Sequence, residues 1–465
     1  MSSGIHKFIQ LVKKVYPSLF LLALIASTFL GSSKRVGLVF LVLSFFYVFY
    51  VWSYSGANDL KIGKFNWLIF SLIVCFSILI PPLSSNDLYF YSGLGRFAMS
   101  GLQEVYFQTI EMVKNKDPIL NSSLLNHTGV VAQYGPLAIS IFRLPWILGA
   151  AKIESAATIL KILMSIFFIC GMVASLKMFP IRVTRKIFVL NLFNPFLIRV
   201  LLVDGHKELV AIPIYLLSIG FLLRHQWFVF SGLFACVTLV SIAYLPAQLL
   251  GLFAIYYSFR SNSSLLKRFV LSSIVYLAIV TTVLVFYSGA DIRGAIGASS
   301  EARAVSGLIW PIIVKLLKIF APDIAMQHHT HYIIHLCASF LFCFGLLLLA
   351  YRIRTSKIPT PVGINALFAF AASYFIQWFL FWYFQEYYLS NILLLVIYLI
   401  AVRGNNKEFL LSALLGICFQ LYQLNTKILV IFVGVITLLY GIYRRNWKQL
   451  GQIIKKDSFY KPSKS

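Results

Sequence analysis

The chain has 465 residues, of which 60% are hydrophobic and only 12% charged, and its mean hydropathy is +0.86. So little polar surface cannot coat a soluble globule, which points to a polytopic membrane protein. The 40 basic residues outnumber the 14 acidic ones, giving a formal net charge of +26, but they collect neither in a soluble domain nor along one helix, which argues against nucleic acid as a partner; short clusters between apolar runs are instead the pattern of segments held against anionic membrane lipids.

In chain order the apolar runs lie near residues 15–31, 36–54, 66–83, 155–178, 187–203, 208–223, 226–258, 267–287, 330–351, 362–384, 387–402, 408–424 and 427–443. Most are long enough to cross a hydrocarbon core of roughly 30 Å, and Pro246 divides the run at 226–258, so the expected fold is all-α with about 12 to 14 spans and no soluble domain. His6, Lys7, Lys13 and Lys14 precede a run without a clear cleavage site, which reads as a retained first span. Two further apolar pieces, 131–149 broken by Arg143 and Pro145, and 304–320 broken by Pro311, Lys315 and Lys318, read as interfacial helices in exoplasmic loops. With both termini in the cytoplasm the Lys/Arg clusters fall inside, Lys34 and Arg35 being the clear exception. The six cysteines all lie in apolar stretches, so no disulfide framework is encoded. No glycine-rich phosphate loop occurs, which argues against ATP hydrolysis by the chain itself.

This orientation gathers the scarce acids and histidines on the exoplasmic side. Asp87 stands where the run at 66–83 has stopped, with Tyr89, Phe90 and Tyr91 beside it. A carboxylate partly desolvated by aromatic neighbours suits a base that takes a proton from a sugar hydroxyl, while the plainer reading makes Ser85, Asn86 and Asp87 a helix N-cap. Tyr134-Gly135-Pro136-Leu137 opens the next apolar segment in the ordinary way. Asp204-Gly205-His206-Lys207-Glu208 places four titratable groups at the end of a span, either as a solvated turn or as a site. Arg293, Glu301 and Arg303, flanked by Gly and Ser, suit a phosphate or a lipid head group. His328, His329, His331 and His335 have a spacing that a metal could use, without a matching Cys or carboxylate pattern, and 378–391 reads as an aromatic belt or a platform for a sugar ring built with Gln385 and Glu386.

Taken in order, these pieces resemble the GT-C class of integral-membrane glycosyltransferases, closest to the bacterial polyprenyl-phosphate-mannose-dependent mannosyltransferases. The resemblance is carried by Asp87-Leu88-Tyr89, Tyr91 and Gly95-Arg96, by Tyr134 to Leu137, by Asn194-Pro195 and Gly205-His206-Lys207-Glu208, and by Trp382-Tyr383. It is densest over residues 80–255 and looser over 256–465, the helical part expected to add donor-binding loops to a single multispanning domain. The chain departs from the pattern at Gly101 to Tyr106, which lacks an Asn-Pro, at Arg199, where an acid is often found nearby, and at "SIAYLP", which lacks a lysine.

The resemblance implies a hexosyl transfer, mannose first, from a polyprenyl-phosphate-linked donor to a glycan or glycolipid acceptor on the exoplasmic face of a cell membrane. Asp87 is then the general base of an inverting displacement. Arg96, His206, Arg293 and Arg303 are the candidates for the donor phosphate, and Tyr89, Tyr91, Tyr134, Glu208, Trp382, Tyr383 and Glu386 for the sugar and acceptor. No cofactor is required, although some enzymes of the class use a divalent cation, and no metal ligand set is assigned. A lipid-linked glycan flippase or an O-antigen-type polymerase is the alternative; the first predicts acids and Gly/Pro breaks near midspan in paired halves, the second a large Arg-rich external loop.

Overall fold

A computed structural model of the chain describes residues 3–30, 33–53, 64–178 apart from 84, 126–127, 130 and 133, then 194–288 apart from 242–243, together with 319–321, 337 and 340–351. Among the described residues the structure is helical, without strands. The helices are α1 (Ser3–Ser27), α2 (Ser33–Ser53), α3 (Lys64–Leu79), α4 (Asp87–Phe97), the single turn α5 (Ile110–Val113), α6 (Pro136–Ile147), α7 (Ile153–Leu176), α8 (Pro195–Val203), α9 (Glu208–Leu223), α10 (Trp227–Val240), α11 (Leu245–Phe259) and α12 (Ser263–Ser288).

Length and composition let three of these cross a membrane, at Lys7–Ser27, Ile153–Leu176 and Ser263–Val283. The pair α8 and α9 makes a fourth if its two limbs count as one span, and shorter apolar helices include Arg35–Val51, Trp67–Leu79, Trp227–Val240 and Leu245–Phe259. Large apolar side chains such as Leu11, Leu22, Leu72 and Val285 stand exposed along these helices, as an apolar solvent allows. The expected runs beyond residue 351 lie outside the described residues. Pro246 does divide the run at 226–258, since it sits in the first turn of α11 after α10 has ended at Val240.

One expectation changes. The runs at 187–203 and 208–223 read as two successive crossings, whereas α8 and α9 are bent by 113° across a four-residue break. Asp204, His206, Lys207 and Glu208 in and beside that break are 0–4% exposed, so the solvated-turn reading fails. The surrounding helices cover what hydropathy alone presents as a loop.

The helices pack as a bundle in which α1 lies on α2 and α3, α4 on α6 and α7, and α9 between α7 and α10, with α12 against α10. Tyr16, Phe20, Phe40, Tyr47 and Tyr50 fill the space between α1 and α2. In such a core each hydroxyl needs a local partner, and Ser44, Ser175 and Ser218 return theirs to the carbonyls of Phe40, Met172 and Tyr215 at 2.6–2.8 Å. Gln248 of α11 reaches across to the Thr238 side chain and the Phe234 carbonyl of α10.

Glycine marks the closest approaches. A Cβ on Gly135 would lie 2.0 Å from the Leu239 carbonyl oxygen, so the opening of α6 sits directly on α10. Gly232 in α10 has nothing within 4 Å of such a Cβ. Gly232→Ala is therefore expected to stabilise the full-length protein by about 0.5–1 kcal/mol through helix propensity, read as a raised melting temperature in detergent; a lower one would show a contact on that face.

Candidate active site

Pro81 and Pro82 end α3, because neither supplies a backbone N–H, and the chain turns back into α4. The amide of Asp87 donates to Ser85 Oγ at 3.2 Å, and Asn86 occupies the cap position without a side-chain capping bond. Asp87 is thus the first helical residue rather than the cap, placed where the positive end of α4 favours a carboxylate. Its side chain, 23% exposed, turns to another element: Oδ2 lies 3.5 Å from Nδ1 of His206. That separation is within ion-pair reach and long for a full hydrogen bond.

His206 reaches Asp87 because of how α8 ends. Asn194 caps it by accepting from the amides of Phe196 and Leu197 at 3.1 and 3.3 Å, with Pro195 in the first turn. From Ile198 to Val203 the helix widens into a π turn, and the Asp204 amide bonds back to the Arg199 carbonyl at 2.9 Å. Such turns are rare and often border functional sites. Gly205 follows at φ +73°, a left-handed conformation, and a Cβ there would press on Leu88 at 3.2 Å and on Cγ of Lys161 at 3.4 Å. Conformation and space together require glycine in the Gly-His-Lys-Glu element.

Three buried groups follow. The His206 ring faces Asp87. Lys207 holds its ammonium 4.7 Å from the ring centroid of Tyr134, a cation–π contact. Glu208 accepts a 2.9 Å hydrogen bond on Oε1 from the Tyr244 hydroxyl, while its fully buried Oε2 has no hydrogen-bond partner among the described residues. An acceptor left this way in a dry site is suited to a ligand hydroxyl.

Tyrosines form the wall beside these groups. Tyr91 stacks on Phe142 at 4.7 Å and meets Tyr134 edge-on at 5.1 Å. Burial, followed by Tyr134 and the charges of Asp87 and Glu208, holds the Tyr91 hydroxyl well above its ordinary pKa, so it remains a neutral donor. The Tyr106 hydroxyl anchors the Tyr134 carbonyl at 3.0 Å. Tyr89 is half-buried on the other side of α4, its hydroxyl also raised by burial and then by Glu154.

The structure therefore brings together Asp87, Tyr91, Tyr134, His206 and Glu208, and adds Lys207. Arg96 lies apart, nine residues along α4 and so about 13 Å from Asp87 along the helix axis. Its Nε donates to Asp117 Oδ2 at 2.6 Å and its guanidinium lies 5.4 Å from the centroid of Trp146, whose indole N–H bonds the Ser92 carbonyl. Asp117 also accepts from the Ile119 amide at 3.0 Å, so Arg96 ties the loop at 102–130 to α4. Arg293, Arg303, Trp382, Tyr383, Glu386 and the histidines from 328 to 335 lie outside the described residues. Among the described residues no three His, Cys, Asp or Glu side chains are grouped to hold a metal ion, so no ligand set for a divalent cation is assembled there.

Sequence reasoning missed Tyr244, which falls in an unremarkable apolar run, and Lys161, whose one signal is a charge in the middle of a span. No individually curated protein and no solved structure matches the chain. Residues 16–258, just over half of its length, match the family described as Alpha-(1->6)-mannopyranosyltransferase, N-terminal domain. That match spans α4, the Gly-His-Lys-Glu elbow and the tyrosine wall, and the chain belongs to this mannosyltransferase family.

Proposed function

We propose that the protein transfers mannose from a polyprenyl-phosphate-linked donor to a primary hydroxyl of a mannose-containing glycan or glycolipid, with inversion at C1. The observation that carries this reading is the Asp87 carboxylate, at the start of α4 and facing His206 at 3.5 Å, rather than used to cap its own helix. Family membership supports the mannosyl group and the 1→6 linkage. Inversion that yields an α linkage requires a β-linked sugar on the donor phosphate.

In the reaction, Asp87 takes the proton of the acceptor hydroxyl as its oxygen bonds to C1. The bond from C1 to the phosphate oxygen breaks, and polyprenyl phosphate leaves with the electron pair. His206 orients the carboxylate, and with Lys207 it supplies donors toward the departing phosphate in a poorly hydrated site, where fixed charges act strongly. Arg293 and Arg303 are assigned to the same phosphate from the second half of the chain. Glu208 Oε2 and the neutral Tyr91 hydroxyl hold sugar hydroxyls, with Tyr134 as a wall, while Trp382, Tyr383 and Glu386 complete the sugar site. The site opens to the exoplasmic face of a bacterial inner membrane, both termini being cytoplasmic, because a lipid-linked donor presents its head group at the interface.

Purified full-length protein, given radiolabelled polyprenyl-phosphate mannose or GDP-mannose together with a glycolipid extract, is expected to transfer label only from the lipid-linked donor, into a product cleaved by an α-1,6-specific mannosidase. Transfer from GDP-mannose alone would overturn the donor assignment. Right-side-out vesicles are expected to use externally added donor and sealed inverted vesicles are not; the reverse result would overturn the assigned face.

A further inference from the structure

We infer that Lys161 and Asp204 form a buried positioning clamp that sets the register of Asp87 against His206; as a statement about catalysis this rests on the proposed transfer. Lys161 sits inside α7, about 12 Å along the helix from its first residue, and is 1% exposed. Its Nζ donates to the Ile80 carbonyl at 2.7 Å. The Asp204 carboxylate, also 1% exposed, acts electrostatically on that ammonium, and its Oδ1 accepts the Leu83 amide at 3.0 Å.

The two side chains thus hold residues 80 and 83 on either side of Pro81 and Pro82, which have no amide hydrogen to offer. Asp87 follows this anchored turn by four residues, and His206 follows Asp204 by two. Gly205, between Asp204 and His206, packs on the Lys161 stem and on Leu88, the neighbour of Asp87. Segments remote in sequence therefore meet on one lysine of a long helix that also contacts α3, α4 and α9. Charges at this depth persist only when paired, and here each group of the pair also grips the backbone leading to Asp87. An error of about 1 Å in such a contact can lower turnover about a hundredfold without altering ligand binding.

The test reads the register directly. In full-length protein with its native cysteines replaced, Asp87→Cys and His206→Cys are joined by a short bifunctional methanethiosulfonate reagent in lipid nanodiscs. Lys161→Met and Asp204→Asn are each expected to lower the cross-linked fraction roughly threefold or more, and Lys161→Arg to restore most of it. Asp204→Asn keeps an acceptor for Leu83 and so guards against a folding failure of Lys161→Met, with melting temperatures as the check. With Asp87 and His206 intact, the same variants are expected to reduce kcat for transfer from polyprenyl-phosphate mannose by about tenfold to a hundredfold at nearly constant donor KM. Undiminished cross-linking in the folded variants overturns the clamp. Diminished cross-linking with unchanged transfer supports the clamp and removes the Asp87–His206 contact from the chemistry, so the two readings fail separately.

Discussion

Asp87→Asn is expected to reduce mannosyl transfer by about a thousandfold or more, at the upper end of what a positioned general base contributes, while donor KM changes little. Asparagine keeps the shape of the side chain and its place at the start of α4 but cannot accept the acceptor proton. The side chain is partly exposed, so the substitution costs the helix only the attraction of the carboxylate to the positive end of α4, about 0.3–1 kcal/mol, and expression should be unchanged. His206→Asn keeps a polar group beside the carboxylate but loses the imidazole, and a smaller fall of about tenfold to a hundredfold is expected. Single-turnover rates with polyprenyl-phosphate mannose check both. If Asp87→Asn turned over at the wild-type rate, Asp87 would have no part in proton transfer and the site would need another base.

Gly95→Ala is expected to have the largest effect on stability. A Cβ at this position would lie 1.9 Å from the Phe142 carbonyl oxygen and 2.4 Å from its carbon. Both atoms belong to the backbone of α6, so no rotamer change relieves the overlap and the helices must separate. Overpacking of this kind costs about 3 kcal/mol or more. Because Tyr91 stacks on Phe142 across the same interface, the displacement should also move the start of α4. The expected result is a much lower melting temperature and loss of transfer in the fraction that still folds. Wild-type stability would mean that α4 and α6 are not in backbone contact. Gly232→Ala, at a glycine with open space around it, is the matched control for helix propensity.

How much of this was legible in the sequence differs from residue to residue. Asp87 and the Gly-His-Lys-Glu element stand out because titratable groups are rare in an apolar chain, and each interrupts a run. Gly95 and Gly135 sit within recognisable short motifs, but their reason, backbone contact with α6 and α10, appears only once the helices are packed. Arg96 follows Gly95 and reads as a phosphate ligand, yet its partner is Asp117 in a loop whose path hydropathy does not describe. Lys161 reads as a blemish in a span until Ile80 and Asp204 are seen beside it. The elbow between α8 and α9 reads as a loop between two crossings, because a hydropathy window records whether a segment is apolar and not whether the break between two segments is covered.

The amino-acid sequence by itself determined the membrane class, the helical character of the described segments, and the mannosyltransferase family, since these depend on apolarity and motif order along short stretches of chain. Tertiary structure alone decided that Asp87 faces His206, that the four titratable groups at 204–208 are buried, and that Lys161 ties the two segments together. The physical reason is range. Hydropathy acts over the length of one helix, whereas the pairing of buried charges is settled by which distant segments supply a partner and exclude the solvent.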